Sequence, residues 1–559
     1  MARMRGGVWT GALLLGALAF LAAIVLAGTP AGHSRDFNLA WFVQFDTQFW
    51  SGILYPRRLP GLWFGLGGLD FFFYGPLPFW VASVLGNAVC PGCAASMTFA
   101  AGGAWLLALS GLSFYVLAAR LFERRAAIIA SVVYVLLPYH LLVNWFIRQS
   151  VGEVCAYIFI PLLAYGFMAI LEQSRKAPIF SFALAGLILA HLPTALLAGH
   201  VFAIAFLVWA WSARHDRARL AQGLAGLILW GFVGLGLAAF YWLPALVLVR
   251  DVSPEALYGS YFEPTNWLYL TPGAQPLKGL FRLILICLFG GAAVILAALY
   301  RGSSGSRWVN LLIAVPFLTA AFLMTGLSRP IWEHWLIARV QFPWRLMSFV
   351  DFSTAVAVGA LVATPLRSTR DRAITAAAFL LLLAGFAAAS PTAFNTGARG
   401  YRSIRNEIPP IGAAEYLPPD FFRRVQEAQG NEGLPVWAVR EVGARLAAEA
   451  GRAAEGTRVL ADTSRRLTVT AEASGPELNV ALPYWRHFVA RSLSQDTAVS
   501  LRPDPMTGMT IVSPWQPGEK VEISLPLHWS EKAGYALGLS ALPLLALALR
   551  YRRRALPAG

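Results

Sequence analysis

The chain has little charge, few lysines and little cysteine. Charged residues make up 13% of its 559 residues and hydrophobic ones 57%. That balance excludes a soluble globular protein and leaves many apolar runs of the roughly 18 to 20 residues that a bilayer crossing takes. A net charge of +16 would suit a nucleic-acid partner, yet the arginines are not spread over one surface, so no nucleic acid is expected. Of the four cysteines, Cys155 and Cys287 fall in apolar runs, as small buried residues do. Cys90 and Cys93 form CPGC, which reads as a local disulfide because the βαβ context of a redox motif is missing. No His, Cys, Asp or Glu cluster has metal-ligand spacing. Nor is there the internal repeat that transporters often carry.

The arginines stand in short clusters between apolar runs: Arg120, Arg124 and Arg125; Arg175 with Lys176; Arg214, Arg217 and Arg219; Arg301 and Arg307; Arg367, Arg370 and Arg372; Arg550 with Arg552 to Arg554. Short basic loops mark the cytoplasmic side. Placing every cluster there predicts a polytopic α-helical membrane protein of about twelve spans with both termini cytoplasmic. The spans lie near 8–28, 96–119, 126–146, 152–172, 178–192, 195–212, 221–248, 279–300, 308–326, 346–364, 373–390 and 532–549. The first, Val8 to Leu26, follows Arg3 and Arg5 without a clean cleavage pattern and reads as a retained helix. Phe71 to Val89 is apolar enough to span, but crossing would turn Arg120 to Arg125 outward. It therefore reads as a re-entrant or interfacial helix. The pair within 178–212, joined at His191-Leu192-Pro193-Thr194, reads as two helices too short to span, leaving a depression that opens outward.

Residues 391–530 are polar. From about Thr457 they alternate, as in RRLTVTAEA, ELNVALPYW and KVEISLPL, with turns at SGPE, PDPMTG and QPGE. This predicts a small extracytoplasmic β-sandwich preceded by a partly helical segment at 420–455. The expected division is a membrane part over 1–390 with its first outer loop at 29–95, an outer part over 391–530, and a last helix with a basic tail over 531–559.

That first outer loop is too elaborate for a connector. Between His33 and Trp80 it holds three aspartates, four tryptophans and the pair Arg57-Arg58. Asp36 follows the first span, where a carboxylate can act as general base toward a hydroxyl or cap the helix FNLAWFVQF. A second constellation, Tyr139, His140, Asn144, Arg148 and Glu153, surrounds an outer turn. Glu153 opens an apolar run, where ionisable groups usually face a cavity, and Arg148 there could grip a phosphate through two parallel bonds. A third group, Arg329, Trp332, Glu333, His334, Arg339, Gln341 and Arg345, falls on the same side. Each group also has an ordinary reading as an interfacial belt or ion pair.

The runs DFNLAWF, SGILYPRRLP, FYGPLPFW, LPYHLLVNWFIRQSVGE, AHLPTALL, AAFYWLPAL, QFPWRLMSF and AEYLP, in this order over about 30–420, resemble the bacterial membrane proteins labelled "pyruvoyl-tetrahydropterin synthase-related". These are similar to the glycosyltransferase C (GT-C) superfamily of polyprenyl-phosphate-sugar-dependent transferases. The resemblance implies a catalytic acid in the first outer loop, interfacial helices there, and a donor at the membrane surface. Asp36 matches the acid and Phe71 to Leu85 the interfacial helix. Where relatives often show Tyr-Pro-Arg-Trp this chain has Tyr55-Pro56-Arg57-Arg58, so Trp63 would supply the stacking surface. A second acid often stands beside the first; here the neighbours of Asp36 are Arg35 and Phe37, which leaves a divalent cation short of oxygen donors.

The reading is an inverting glycosyltransferase in a bacterial cytoplasmic (inner) membrane, with its active site on the periplasmic side. It would move a sugar from a polyprenyl-phosphate-linked sugar to a glycan, lipid or protein acceptor. Asp36 is the base, and Arg148, Arg339 and Arg345 hold the donor phosphate. Arg57, Arg58, Trp63, Tyr139, His140, Glu153, His191 and Gln341 contact substrate, and membrane lipids surround the whole. The rival readings are a silent scaffold in envelope glycan assembly and a lipid or polysaccharide transporter.

Overall fold

The computed structural model describes residues 19–253, 263–271, 279–302, 306–333, 336–404, 406–429, 436–472 and 475–555. His334 and residues 8–18 of the first expected span lie outside them. Residues 19–27 are helical. The following segment carries α1 (Arg35–Trp50) and the short apolar helix α2 (Leu77–Val89). At 1.5 Å per residue α2 covers about 20 Å, short of a bilayer core of about 30 Å. It lies against α3 (Ala95–Leu121), where glycines bring the backbones together: a Cβ on Gly102 would stand 2.6 Å from the Ala82 Cα.

The bundle continues with α4 (Arg124–Leu136), which Pro138 breaks before a wide-turned π-helix, Tyr139–Arg148. Next come α5 (Val151–Leu171), α6 (Ile179–Ala190), α7 (Leu192–Ser212), α8 (Arg217–Leu237) and α9 (Ala239–Leu248). Then follow α10 (Gly279–Tyr300), α11 (Arg307–Leu323), α12 (Met347–Ala363) and α13 (Thr369–Arg402). Eight helices among the described residues are long and apolar enough to cross a membrane. A polytopic helical membrane protein follows from that alone.

Two of the eight are buried almost all round, as helices without a polar face must be. In the apolar windows of Val151–Leu171 and Pro343–Ala363, 89% of residues are buried, and the other helices pack around them. Outward faces stay apolar, with Leu207, Trp211, Phe232 and Leu380 exposed toward the lipid layer.

Several boundaries differ from expectation. His191 alone reverses the chain between α6 and α7, with Pro193 already in the first turn, so α7 reaches 21 residues and only α6, at 12, is short. The expected span 221–248 is two helices parted at Ala238. Helix α13 runs on to Arg402, 34 residues in all. The crossing expected over 308–326 is α11, at 17 residues.

Beyond α13 lie α14 (Pro419–Gln429), α15 (Val436–Ala453) and seven strands, closed by α16 (Trp529–Ala555). The strands are β1 (Thr457–Asp462), β2 (Arg466–Ala471), β3 (Leu478–Pro483), β4 (Val489–Ser492), β5 (Ala498–Pro503), β6 (Met509–Ser513) and β7 (Lys520–Ser524). The small β-sandwich expected here is a seven-stranded antiparallel sheet folded on itself, ordered β1-β2-β7-β4-β5-β6-β3. Strand β5 makes the corner: Ala498 and Val499 pair with β4, while Ser500 to Pro503 pair with β6. The sheet curls until its ends meet, and Thr457 Oγ1 donates to Asn479 O at 3.1 Å. Leu467, Val469, Val480, Val512, Val521 and Ile523 fill the inside.

Candidate active site

Residues 29–34 run as an irregular strap over the turn between the π-helix and α5 and lead into α1. Ala31 N donates to Thr396 O at 2.9 Å, His33 N to Ile147 O at 3.0 Å and Ser34 N to Arg148 O at 3.1 Å. Gly32 permits the approach, since a Cβ there would come within 2.8 Å of Ile147 O. At the start of α1, Asn38 Nδ2 donates to Gln149 O at 2.6 Å and also meets the Gln149 amide oxygen. Gln149 itself sits in the left-handed region at φ 56°, which ends the π-helix and turns the chain into α5.

This strap places Asp36 beside the segment that carries Arg148. Asp36 lies in the first turn of α1, where a negative charge suits the helix dipole, and makes no capping bond. Its side chain is 45% exposed and pairs with Arg35 at 3.1 Å. Arg35 is tied in turn to Ser403 O at 3.2 Å, at the end of α13. The carboxylate is thus held at the head of α1 and stays about half exposed.

Below the strap, two arginines share one carboxylate. Arg148 donates through Nη2 to Glu153 Oε1 and through Nη1 to Oε2, both at 2.8 Å, and Nη1 also reaches Asn144 Oδ1 at 2.7 Å. Arg345 Nε lies 3.1 Å from the same Glu153 Oε1, while its Nη1 donates to Val340 O at 2.5 Å and its Nη2 to Gln341 Oε1 at 3.3 Å. The Tyr139 hydroxyl donates to Glu153 Oε2 at 3.1 Å and accepts from Arg148 at 3.2 Å. Glu153 is buried, and each arginine side chain keeps 10% of its surface open. Two guanidinium groups against one carboxylate leave a net positive charge, which an anion reaching the exposed tenth of either arginine would balance.

His191 closes one side, with Nδ1 2.8 Å from Thr194 Oγ1 and its ring packed against Gly152. From the first loop comes Tyr74, which the sequence reading passed over. Its ring lies 4.6 Å from that of Trp41, and burial raises its phenol to about 12, with Arg345, Glu153 and Arg148 acting on it. Arg339 stands exposed in the turn Ile337–Val340.

Four of the expected contact residues are elsewhere. Arg57 is fully buried: it pairs with Glu531 at 3.3 Å, donates to Phe240 O at 2.6 Å and lies over the Tyr55 ring at 4.0 Å. Arg58 pairs with Asp462 at 2.5 Å. Both backbone amides donate to Ser464 Oγ, at 2.8 and 3.1 Å. The Arg-Arg pair therefore fastens the loop to the sheet and the last helix, because Glu531 and Asp462 require cations. Trp63 is buried beneath Gly412 and Gly443, out of reach of a ligand. His140 turns inward, stacked on Tyr157 at 3.7 Å with Nδ1 3.0 Å from Tyr134 O.

Asn38 and Gln149 were missed as partners of the site, whereas Asn144 was expected beside Arg148 and bonds to it at 2.7 Å. A run of polar residues inside an otherwise apolar stretch was the available signal. Asp70 is also buried, accepting from Trp41 Nε1 at 2.9 Å and Ala413 N at 3.1 Å. Cys90 and Cys93 form a disulfide, and Cys155 and Cys287 are free and buried. Among the described residues no three of His, Cys, Asp and Glu come together as a metal-binding group.

No protein-family model matches the chain. No curated protein sequence matches it either. Among solved structures it is similar to arabinofuranosyltransferase AftD from Mycobacteria, at 17% identity over 69% of this chain and 27% of that one, with a TM-score of 0.42. A variant of the same enzyme gives 0.46 at 15% identity, over 92% of this chain and 41% of that one. ArnT from Cupriavidus metallidurans bound to undecaprenyl phosphate gives 0.42 at 16% identity, over 71% of this chain and 77% of that one. The chain thus spans between about a quarter and two fifths of the arabinofuranosyltransferase.

Proposed function

We propose that the chain is a membrane glycosyltransferase that moves a sugar from a polyprenyl-phosphate-linked donor to an acceptor hydroxyl outside the cytoplasm. One observation carries the reading: the strap leading into α1 is hydrogen-bonded to the backbone of Ile147 and Arg148, so the helix whose first turn carries the half-exposed Asp36 starts on the segment that carries a buried arginine pair with one positive charge in excess. A base and an anion-binding group side by side suit a displacement at a sugar carbon that bears a phosphate leaving group.

The acceptor oxygen attacks the anomeric carbon as the bond from that carbon to the phosphate oxygen breaks, inverting the configuration. Asp36 takes the acceptor proton, and the bonding electrons leave on the lipid phosphate. Arg148 and Arg345 stabilise that growing charge, each guanidinium giving up part of its hold on Glu153. Arg339 lies on the same turn as Gln341 and would contact the phosphate from the rim. His191 and Gln341 border the sugar, and Tyr74 takes the place that Trp63 was expected to fill.

In this reading the first and last helices and the shorter α6 and α11 are also crossings, which brings the eight to twelve, with both termini on the basic, cytoplasmic side of a bacterial inner membrane. The sheet with α14 and α15 then lies in the periplasm over the opening and helps hold a glycan, lipid or protein acceptor.

The test is binding and turnover in detergent. Undecaprenyl phosphate should bind the purified chain and lose at least tenfold in affinity in the double variant R148Q/R345Q. With a donor pool of undecaprenyl-phosphate sugars and a membrane glycan extract, D36N should lose transfer while still binding lipid phosphate. Full transfer by D36N, or no transfer by the wild type, as a scaffold or transporter would give, overturns the reading.

A further inference from the structure

One buried acid lies apart from the proposed chemistry. Asp351 sits in α12, within the same buried span as Arg345, and only 4% of its surface is exposed. A carboxyl at such a place is costly unless donors surround it. It has two, both on Oδ2: the backbone N–H of His140 at 3.1 Å and the Tyr157 hydroxyl at 2.9 Å.

Those two donors belong to the elements that carry the other site residues. His140 is the second residue of the π-helix that ends at Arg148. The first N–H groups of any helix lack partners within it, and Asp351 satisfies one of them from a neighbouring helix. Tyr157 stands four residues after Glu153 on α5, hence on the same helix face. Stacking of His140 on Tyr157 and the bond from Tyr134 OH to Tyr157 O at 2.9 Å close the cluster. One oxygen thus ties together α12, α5 and the start of the π-helix, the three elements that deliver Arg345, Glu153 and Arg148.

The register of the π-helix is what needs holding. Its turns carry one residue more than α-turns, and such turns are rare outside functional sites. If residues 139–148 relaxed to α-helical bonding, Arg148 would swing away from Glu153, and Asn144 with it. Bonding at His140 N holds the end from which that register is counted.

We propose that Asp351 is a positioning residue for the Arg148–Glu153–Arg345 site, fixing the π-register of Tyr139–Arg148 and the rotation of α5 so that both arginines meet one carboxylate. The value of this for catalysis rests on the function proposed above; the positioning itself does not.

The experiment therefore has two arms, run on the full chain in dodecylmaltoside. In the first, undecaprenyl phosphate affinity is measured for wild type, D351N, D351L and Y157F. Asn keeps an oxygen acceptor and should stay within threefold of wild type, whereas D351L should lose at least tenfold and Y157F an intermediate amount. A merely structural role would lower the melting temperature of D351L but leave affinity in the surviving folded protein unchanged, which overturns the proposal. In the second arm the coupling between R148Q and E153Q is read from melting of the single and double variants, with Asp351 and then with Leu at that position. Coupling that persists undiminished beside Leu also overturns it. If D351L does not fold, the same cycle in Y157F decides. A wild type that binds no undecaprenyl phosphate refutes the functional reading, while the second arm still judges the positioning.

Discussion

Arg148 and Glu153 form a two-pronged ion pair, both N···O distances 2.8 Å, across the left-handed residue Gln149. The pair is local in sequence yet buried, and Arg345 joins it from far along the chain. Removing the shared acid leaves two guanidinium groups facing each other without compensation. Glu153→Gln should therefore cost about 3–5 kcal/mol of stability, read as a fall in melting temperature, and bound lipid phosphate should restore part of it. An unchanged melting temperature would show that the arginines do not depend on Glu153.

Asp36 behaves in the opposite way. Its carboxylate is 45% exposed with Arg35 as partner, and a pair that open is worth under about 1 kcal/mol. Asp36→Asn should leave melting within a degree or two of wild type while lowering transfer by about 10² to 10⁴-fold. Loss of both together would mark the residue as structural.

Asp70 gives a pH signature. Burial, the largest influence, pushes its carboxyl up to about 7, with Glu415 acting the same way against the bonds from Ala413 and Trp41. Its second oxygen, Oδ2, has no hydrogen-bond partner, as suits a carboxyl that keeps its proton. Above the ordinary carboxyl range the unfolded chain ionises while the folded one must keep its proton, so folding is progressively disfavoured. Its contribution is therefore full below about pH 4, declines as pH rises toward 7, and is flat above. Asp70→Asn keeps the acceptor for both donors and cannot ionise. Hydrogen exchange in 59–74 and around Ala413 should slow on acidification from pH 7.5 to 4.5 in wild type beyond the intrinsic rate, and not in the variant. Equal slopes would remove Asp70 as the cause.

Gly103 on α3 lies against the ring of Trp145 in the π-helix, and an added Cβ would fall inside that ring. Trp145 is fully buried and cannot yield outward. Gly103→Ala should cost about 1–3 kcal/mol by overpacking. It should also weaken lipid-phosphate binding, because Trp145 moves with Asn144 and Arg148. Full-strength binding with a lowered melting temperature would separate packing from the site.

The sequence made the membrane class and the Arg148–Glu153 constellation legible for one physical reason: polar groups at the edge of an apolar run are conspicuous. Arg57 and Arg58 were equally conspicuous and misled, since Asp462, Ser464 and Glu531 lie hundreds of residues away and nothing local betrays them. His140 was grouped with Arg148 by spacing, but the π-register turns it onto Tyr157, and no periodicity distinguishes ten residues of π-helix from α. Asp351 was read as part of a span because its donors, a backbone amide and a tyrosine, leave no charge pattern. The corner at β5 escaped notice because alternation fixes which face a residue takes and not which strand it pairs with.

The anchoring of Arg57 has a consequence for how the molecule is made. The tip of the first loop is held by Ser464, 407 residues further along, and by Glu531 at the head of the final helix. A ribosome delivers the loop about 400 residues before its anchors. Until then Arg57 has neither its counter-ion nor its amide's partner, and the loop leading to Tyr74 has no fixed seat. The nascent chain thus stays incomplete at one end of its bundle while more than 400 further residues are made, and seating of the loop must await the helix that opens at Trp529.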